Sequence, residues 1–106
     1  MTALFSLPFH PDAVDELDAA VDWYERHTTG AGARLLAEII EVVGVLHEFP
    51  RSGAPVSGFD AGFDVRLSPL RHYPFLIVTA RVADRRFVVA VAHARREPRY
   101  WRRRLR

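Results

Sequence analysis

The spacing of apolar residues changes once along the chain, from a helical period to a strand period. Before that change, Ala3 to Phe9 alternates, with Ala3, Phe5, Leu7 and Phe9 against Leu4, Ser6 and Pro8, which predicts a short first strand. Pro11 suits the first turn of a helix, and Asp12, Asp15 and Glu16 place negative charge near the positive end of its dipole. Val14, Leu17, Val21 and Tyr24 then form one apolar stripe. The helix is expected to stop near Thr28-Thr29-Gly30, with Gly30 as a left-handed cap. A second helix runs from about Ala33 to Phe49 and ends at Pro50. Its stripes, Leu36-Ile39-Val43-Leu46 and Leu35-Val42-Phe49, cover more than half its circumference, so it is expected to pack on two sides. The tight turn between the helices predicts an antiparallel hairpin.

Pro50 to Gly62 holds two Pro and three Gly and reads as a loop. The period then becomes two. Phe63, Val65 and Leu67 alternate with Asp64, Arg66 and Ser68. Tyr73 to Val82 and Phe87 to His93 are β-rich apolar runs joined by the turn Ala83-Asp84-Arg85, a β-hairpin. The expected architecture is α+β: an N-terminal strand, then an antiparallel helical hairpin packed on one face of an antiparallel sheet. On the Tyr73 to Val82 strand, Leu76, Val78, Ala80 and Val82 are assigned to the core beneath the helices. Tyr73, Phe75, Ile77, Thr79 and Arg81 are assigned to an open face, joined there by Arg66.

Composition narrows the class. The 106 residues suit one domain, 1–106, with one modest core; 49% are hydrophobic, too many for a disordered polybasic chain. There is no Cys, hence no disulfide framework and no thiolate chemistry. This leans towards a cytoplasmic location, as does a start without a basic leader region. No apolar run is long enough to cross a membrane, so no membrane partner is expected. The five His have no metal-ligand spacing, and Gly30-Ala31-Gly32 lacks the strand and Lys of a phosphate loop, so neither metal nor cofactor is expected.

The net charge of +2 hides a split. Met1 to Gly53 has three Arg against nine Asp and Glu, or −6, and Ala54 to Arg106 has twelve Arg against four, or +8. Every cation is Arg; there is no Lys.

Four segments in this order carry a resemblance: the acidic helix DAVDELDAAVDWYERH, the turn and helix GAGARLLAEIIEVVGVLHEFP, the strands VRLSPLRHYPFLIVTARV, and the ending VVAVAHARREPRYWRRR. Together the chain resembles the ParE/RelE superfamily of type II toxin–antitoxin toxins over nearly its whole length. The resemblance implies a cytoplasmic plasmid-stabilization type of toxin. It would be wrapped and blocked by a cognate antitoxin, and a toxin–antitoxin heterotetramer is one arrangement it allows. ParE-type members inhibit DNA gyrase; RelE-type members cleave mRNA on the ribosome.

The residues leave both targets open. RNA cleavage needs a base, an acid and cations for the developing charge. Arg66 and Arg81 would supply cations and His93 the proton transfer, with Tyr100 as a second donor, if the chain is a nuclease. RelE-type lysines have no counterpart here, and Arg is a poor general base at neutral pH. That favours a ParE-like binder over an enzyme, with a member that only binds its antitoxin as a third reading. The expected target- or antitoxin-binding set is Arg66, Tyr73, Phe75, Arg81, Arg95, Arg96, Arg99 and Tyr100. The competing structural role for Arg66 and Arg81 is a salt bridge, for His93 a bond to the backbone, and for Trp23 and Tyr24 helix–sheet packing. Trp101 is expected to fold inward with the tail arginines facing out.

Overall fold

A computed structural model describes residues 4–60 and 62–105. Helix α1 spans Pro11–His27 and α2 spans Ala31–Glu48. They are followed by strands β1 (Ala54–Pro55), β2 (Phe63–Pro69), β3 (Phe75–Val82) and β4 (Arg85–His93), and by a 3-10 helix at Tyr100–Leu105. The sheet order is β1-β2-β3-β4, antiparallel throughout. Among the described residues no helix is long and apolar enough to cross a membrane.

Helix α1 starts where the sequence places it. Pro11 gives up no needed hydrogen bond in the first turn, and the His10 ring accepts from the Asp12 N–H at 3.0 Å. The turn into α2 depends on two glycines. Gly30 is left-handed, with φ of 86°. A Cβ on Gly32 would lie 2.6 Å from the Val21 carbonyl oxygen, so only glycine lets the two helices approach this closely. Glu25 closes the turn by accepting from the N–H of Gly30 (2.9 Å) and of Gly32 (3.1 Å). These bonds, the one from Gly30 first, outweigh desolvation and hold its carboxyl below the ordinary glutamate range.

Three expectations need correcting. Leu4 to Phe9 does not form a strand; it touches the sheet through one parallel bridge, Phe9 to Val88 (Ala3 lies outside the described residues). Pro8 is the reason a ladder cannot extend: it has no N–H, and its carbonyl already accepts from Val88. Helix α2 packs against α1 and the sheet, but its apolar surface is not covered to its C-terminal end. Leu35, Ile39, Val43 and Leu46 are buried, while Val45 and Phe49 stay exposed. The loop after α2 also carries an unexpected two-residue edge strand, β1, at Ala54–Pro55.

The largest correction concerns the sheet faces, which are the reverse of the assignment. Ile77 packs under the helices with Leu17, Leu35, Ile39, Val43, Val88 and Val91; Tyr73 and Phe75 border that cluster. Val78 and Ala80 pack on the opposite face with Val65, Val89, Ala90, Ala92, Trp101 and Leu105, bordered by Leu76 and Val82. The C-terminal segment therefore folds back and covers the face that was expected to hold the helices. As expected, Trp101 is buried, and its ring stacks on Phe59 at 5.8 Å. A register shift at Val78/Thr79 leaves Val89 as an extra residue on β4, so Val89 and Ala90 both join the tail-side cluster.

Candidate functional site

Arg66 and Arg81 share one cleft of about 570 Å³, lined also by Arg51, Asp64, Arg86 and His47. They lie on the helix side of the sheet, beyond the cover of the hairpin. Asp64 is the centre of the cleft. It accepts from Arg66 Nε at 3.1 Å and from Arg86 Nη2 at 3.3 Å. Partial burial pushes the Asp64 carboxyl up, but the Arg86 and Arg66 guanidiniums outweigh that and hold it below the ordinary aspartate range. Arg66 also donates to the carbonyls of Arg51 (2.6 Å) and Gly53 (3.2 Å), which ties β2 to the segment leaving α2. Arg66 is thus largely committed to the fold, whereas Arg81 is exposed and, among the described residues, donates only to the Ala83 carbonyl at 3.4 Å.

His93 is not part of that cleft. It pairs with Phe75 at the far end of β3, while Arg81 lies six residues along the same strand. At about 3.4 Å per residue the separation is about 20 Å. The His93 ring accepts from the Arg95 N–H at 3.1 Å and meets Phe75 edge-on at 5.2 Å. It borders a second cleft, of about 340 Å³, with Ala20, Trp23, Tyr24 and Phe75. Tyr73 and Phe75 line no open face: Tyr24 packs edge-on against both rings, at 5.0 and 6.3 Å. Tyr24 takes the packing role expected of it, but Trp23 is 48% exposed and stacks on His27 at 3.8 Å.

The tail residues are organised by a side chain that sequence reading placed only near a helix dipole. Glu16 accepts from the Val91 N–H (3.0 Å), Tyr100 Oη (2.5 Å), Arg96 (3.2 Å) and both Arg104 amino groups (2.8 and 3.0 Å). Arg104 also donates to the Val89 carbonyl at 3.1 Å. Desolvation first, then the bond to Glu16 and its charge, push the Tyr100 phenol far above its ordinary value. The Glu16 hydrogen bond raises the already high value of Arg104. Arg96 and Tyr100 are therefore bound into this latch, with the Arg96 guanidinium 3.7 Å from the Tyr100 ring centre. Arg95 and Arg99 remain exposed.

A signal for Glu16 was present in the sequence. It falls on the buried stripe of α1, between Ala13 and Ala20 at helical spacing, where a carboxylate needs partners. The partners themselves, 75 to 88 positions away, could not be read from spacing.

No curated protein and no solved structure matches the chain. The family model for the ParE toxin of the type II toxin–antitoxin system, parDE, matches residues 7–98. That span takes in both helices, all four strands and the start of the latch. The chain belongs to the ParE family of type II toxins, whose partner is a cognate antitoxin.

Proposed function

We propose that this toxin acts by binding and inhibiting DNA gyrase rather than by cleaving RNA. The observation that carries the reading is the dispersal of the nuclease candidates. Arg66 is engaged by Asp64 and two carbonyls, His93 lies at the other end of β3, and the Tyr100 proton is held by Glu16. Internal attack on a phosphodiester requires base, acid and cation around one phosphorus. Inhibition by binding needs only an exposed surface.

Two regions supply such a surface. The hairpin exposes Trp23, Val45 and Phe49, and the sheet ends expose Arg81, Arg95 and Arg99. Exposed aromatic and Arg side chains are favoured anchors at protein interfaces. The antitoxin would lie along the hairpin with its apolar side chains on Trp23, Val45 and Phe49, and its acidic residues would face Arg81. The toxin would work as a single 1–106 domain in the cytoplasm, paired with its antitoxin in a heterotetramer. A supercoiling assay with purified gyrase tests the target, and a ribosome-primed mRNA cleavage assay tests the alternative. Growth under induced expression separates both from a non-toxic member that only binds its antitoxin.

A further inference from the structure

The arginines of the C-terminal segment fall into two groups. Arg96 and Arg104 are paired with Glu16. Arg95, Arg99, Arg102 and Arg103 are exposed, and among the described residues none of them has a carboxylate within 4.0 Å. Two of this second group are held in place rather than loose. Arg99 and Arg102 both stand over the Phe59 ring, 5.8 and 5.2 Å from its centre, and Phe59 is itself stacked on buried Trp101. Arg102 also donates to the Gly58 carbonyl at 2.9 Å. Arg99 is held at φ of 62°, a left-handed conformation uncommon outside glycine and asparagine, and such strain persists only where the surroundings enforce it.

We infer that Arg95, Arg99, Arg102 and Arg103 form a strip that binds the phosphate backbone of double-stranded DNA. Charge and ordering favour a phosphate polyanion. A guanidinium presents a planar fork of donors that matches phosphate oxygens, and resting it on an aromatic face reduces the entropy lost on binding. Arg102 and Arg103 lie on the 3-10 helix, which spans about 12 Å, and duplex DNA offers one charge per about 1.7 Å of axis, so both can reach phosphates of one short stretch. The missing apolar anchor argues against an acidic protein as occupant. None of the exposed large hydrophobic side chains among the described residues, Leu4, Trp23, Val45 and Phe49, belongs to the C-terminal segment. Protein interfaces are built around such anchors, whereas backbone binding of DNA does not need them. The strip adds a second partner to the gyrase reading and does not depend on it.

The test uses the full chain, a labelled 20-base-pair duplex of mixed sequence, and no gyrase. With four phosphate contacts, affinity should fall about 150-fold between 50 and 200 mM salt. Replacing Arg99 by Asn, which keeps the left-handed backbone, together with Arg102→Gln should reduce the logarithmic salt slope by about 1.8, leaving a fall of about 12-fold. Arg34→Gln with Arg85→Gln removes the same charge elsewhere and should leave the slope unchanged. Thermal melting checks that both variants fold; should the Asn variant not fold, Arg102→Gln with Arg103→Gln carries the same expectation. An unchanged slope in the tail variant overturns the inference, as does an equal loss in the control. Polyglutamate of matched charge binding as tightly as the duplex also overturns it, in favour of an acidic protein. Because gyrase is absent, failure here leaves the supercoiling result untouched.

Discussion

Glu16 and Arg104, 88 positions apart, meet in a two-pronged ion pair, Nη1 to Oε1 at 2.8 Å and Nη2 to Oε2 at 3.0 Å. This pair joins α1 to the C-terminal segment across the edge of β4. It also closes that edge to foreign strands. The Val91 N–H goes to Glu16, the Val89 carbonyl to Arg104, and the Val88 amide and carbonyl to the Pro8 carbonyl and the His10 N–H.

Removing one partner of this pair should be costly. Side-chain exposures are 10% for Arg104 and 13% for Glu16, so Glu16→Ala leaves a largely buried guanidinium with only the more distant Asp12 carboxylate, 3.7 Å away. The expected loss is about 3 kcal/mol, or more than about 10 °C in melting temperature. Arg96→Ala, at a side chain 55% exposed, should cost less than about 1 kcal/mol. Thermal melts of the two variants check this, and equal losses would show that Glu16 is not the centre of the latch.

Two helical glycines should respond with opposite signs. Gly32→Ala pushes a methyl group against the Val21 carbonyl and should destabilise by about 1–3 kcal/mol. Gly44→Ala meets nothing within 4 Å and should stabilise by about 0.5–1 kcal/mol through helix propensity. Urea titration of both proteins measures the difference.

The carboxylates of Glu25, Glu38 and Asp64 share a sign. At Glu38, burial raises the value, but the His72 side chain and the N–H groups of Arg71 and His72 outweigh it; all three groups lie below their ordinary values. The unfolded chain therefore binds more protons in mildly acidic solution. The stability these groups add is complete above the unfolded carboxylate values and is lost as pH falls through the lowered folded values. Asp64→Asn should be less stable than the parent at pH 7, and the gap should close on acidification. A gap that stays constant with pH would contradict the Arg66–Asp64–Arg86 assignment.

Trp101 and Trp23 should separate folding from binding. Trp101→Ala removes a buried ring and uncovers Val78 and Ala80, so a loss of about 3–5 kcal/mol and new binding of a hydrophobic dye are expected. Trp23→Ala should change stability by less than about 1 kcal/mol yet weaken the antitoxin complex by about 2 kcal/mol or more, read by calorimetric titration.

The helical hairpin and the three long strands were legible in the sequence because their periods are clean and Gly30, Pro50 and Ala83-Asp84 punctuate them. Which face of β3 looks at the helices was not. Leu76 to Ala80 is apolar or neutral at every position because both faces are covered, and a period of two cannot orient a strand buried on both sides. Trp101 and Leu105 held the missing information: two large apolar residues in an arginine-rich tail need an apolar seat, and the second sheet face provides it. Of the candidate site, the pairing of Arg66 with Arg81 in one cleft followed from strand parity. His93 was grouped with them, although the length of β3 sets it at the other end of the strand, and the sequestering of Arg66, Arg96 and Tyr100 rests on Asp64 and Glu16 contacts that only the folded chain brings together.

Inhibition by binding is tested by gyrase supercoiling in the presence of purified toxin. The predicted result is inhibition at micromolar toxin that survives His93→Ala and is relieved by the cognate antitoxin. Undiminished supercoiling, with ribosome-dependent mRNA cleavage that His93→Ala abolishes, would contradict it.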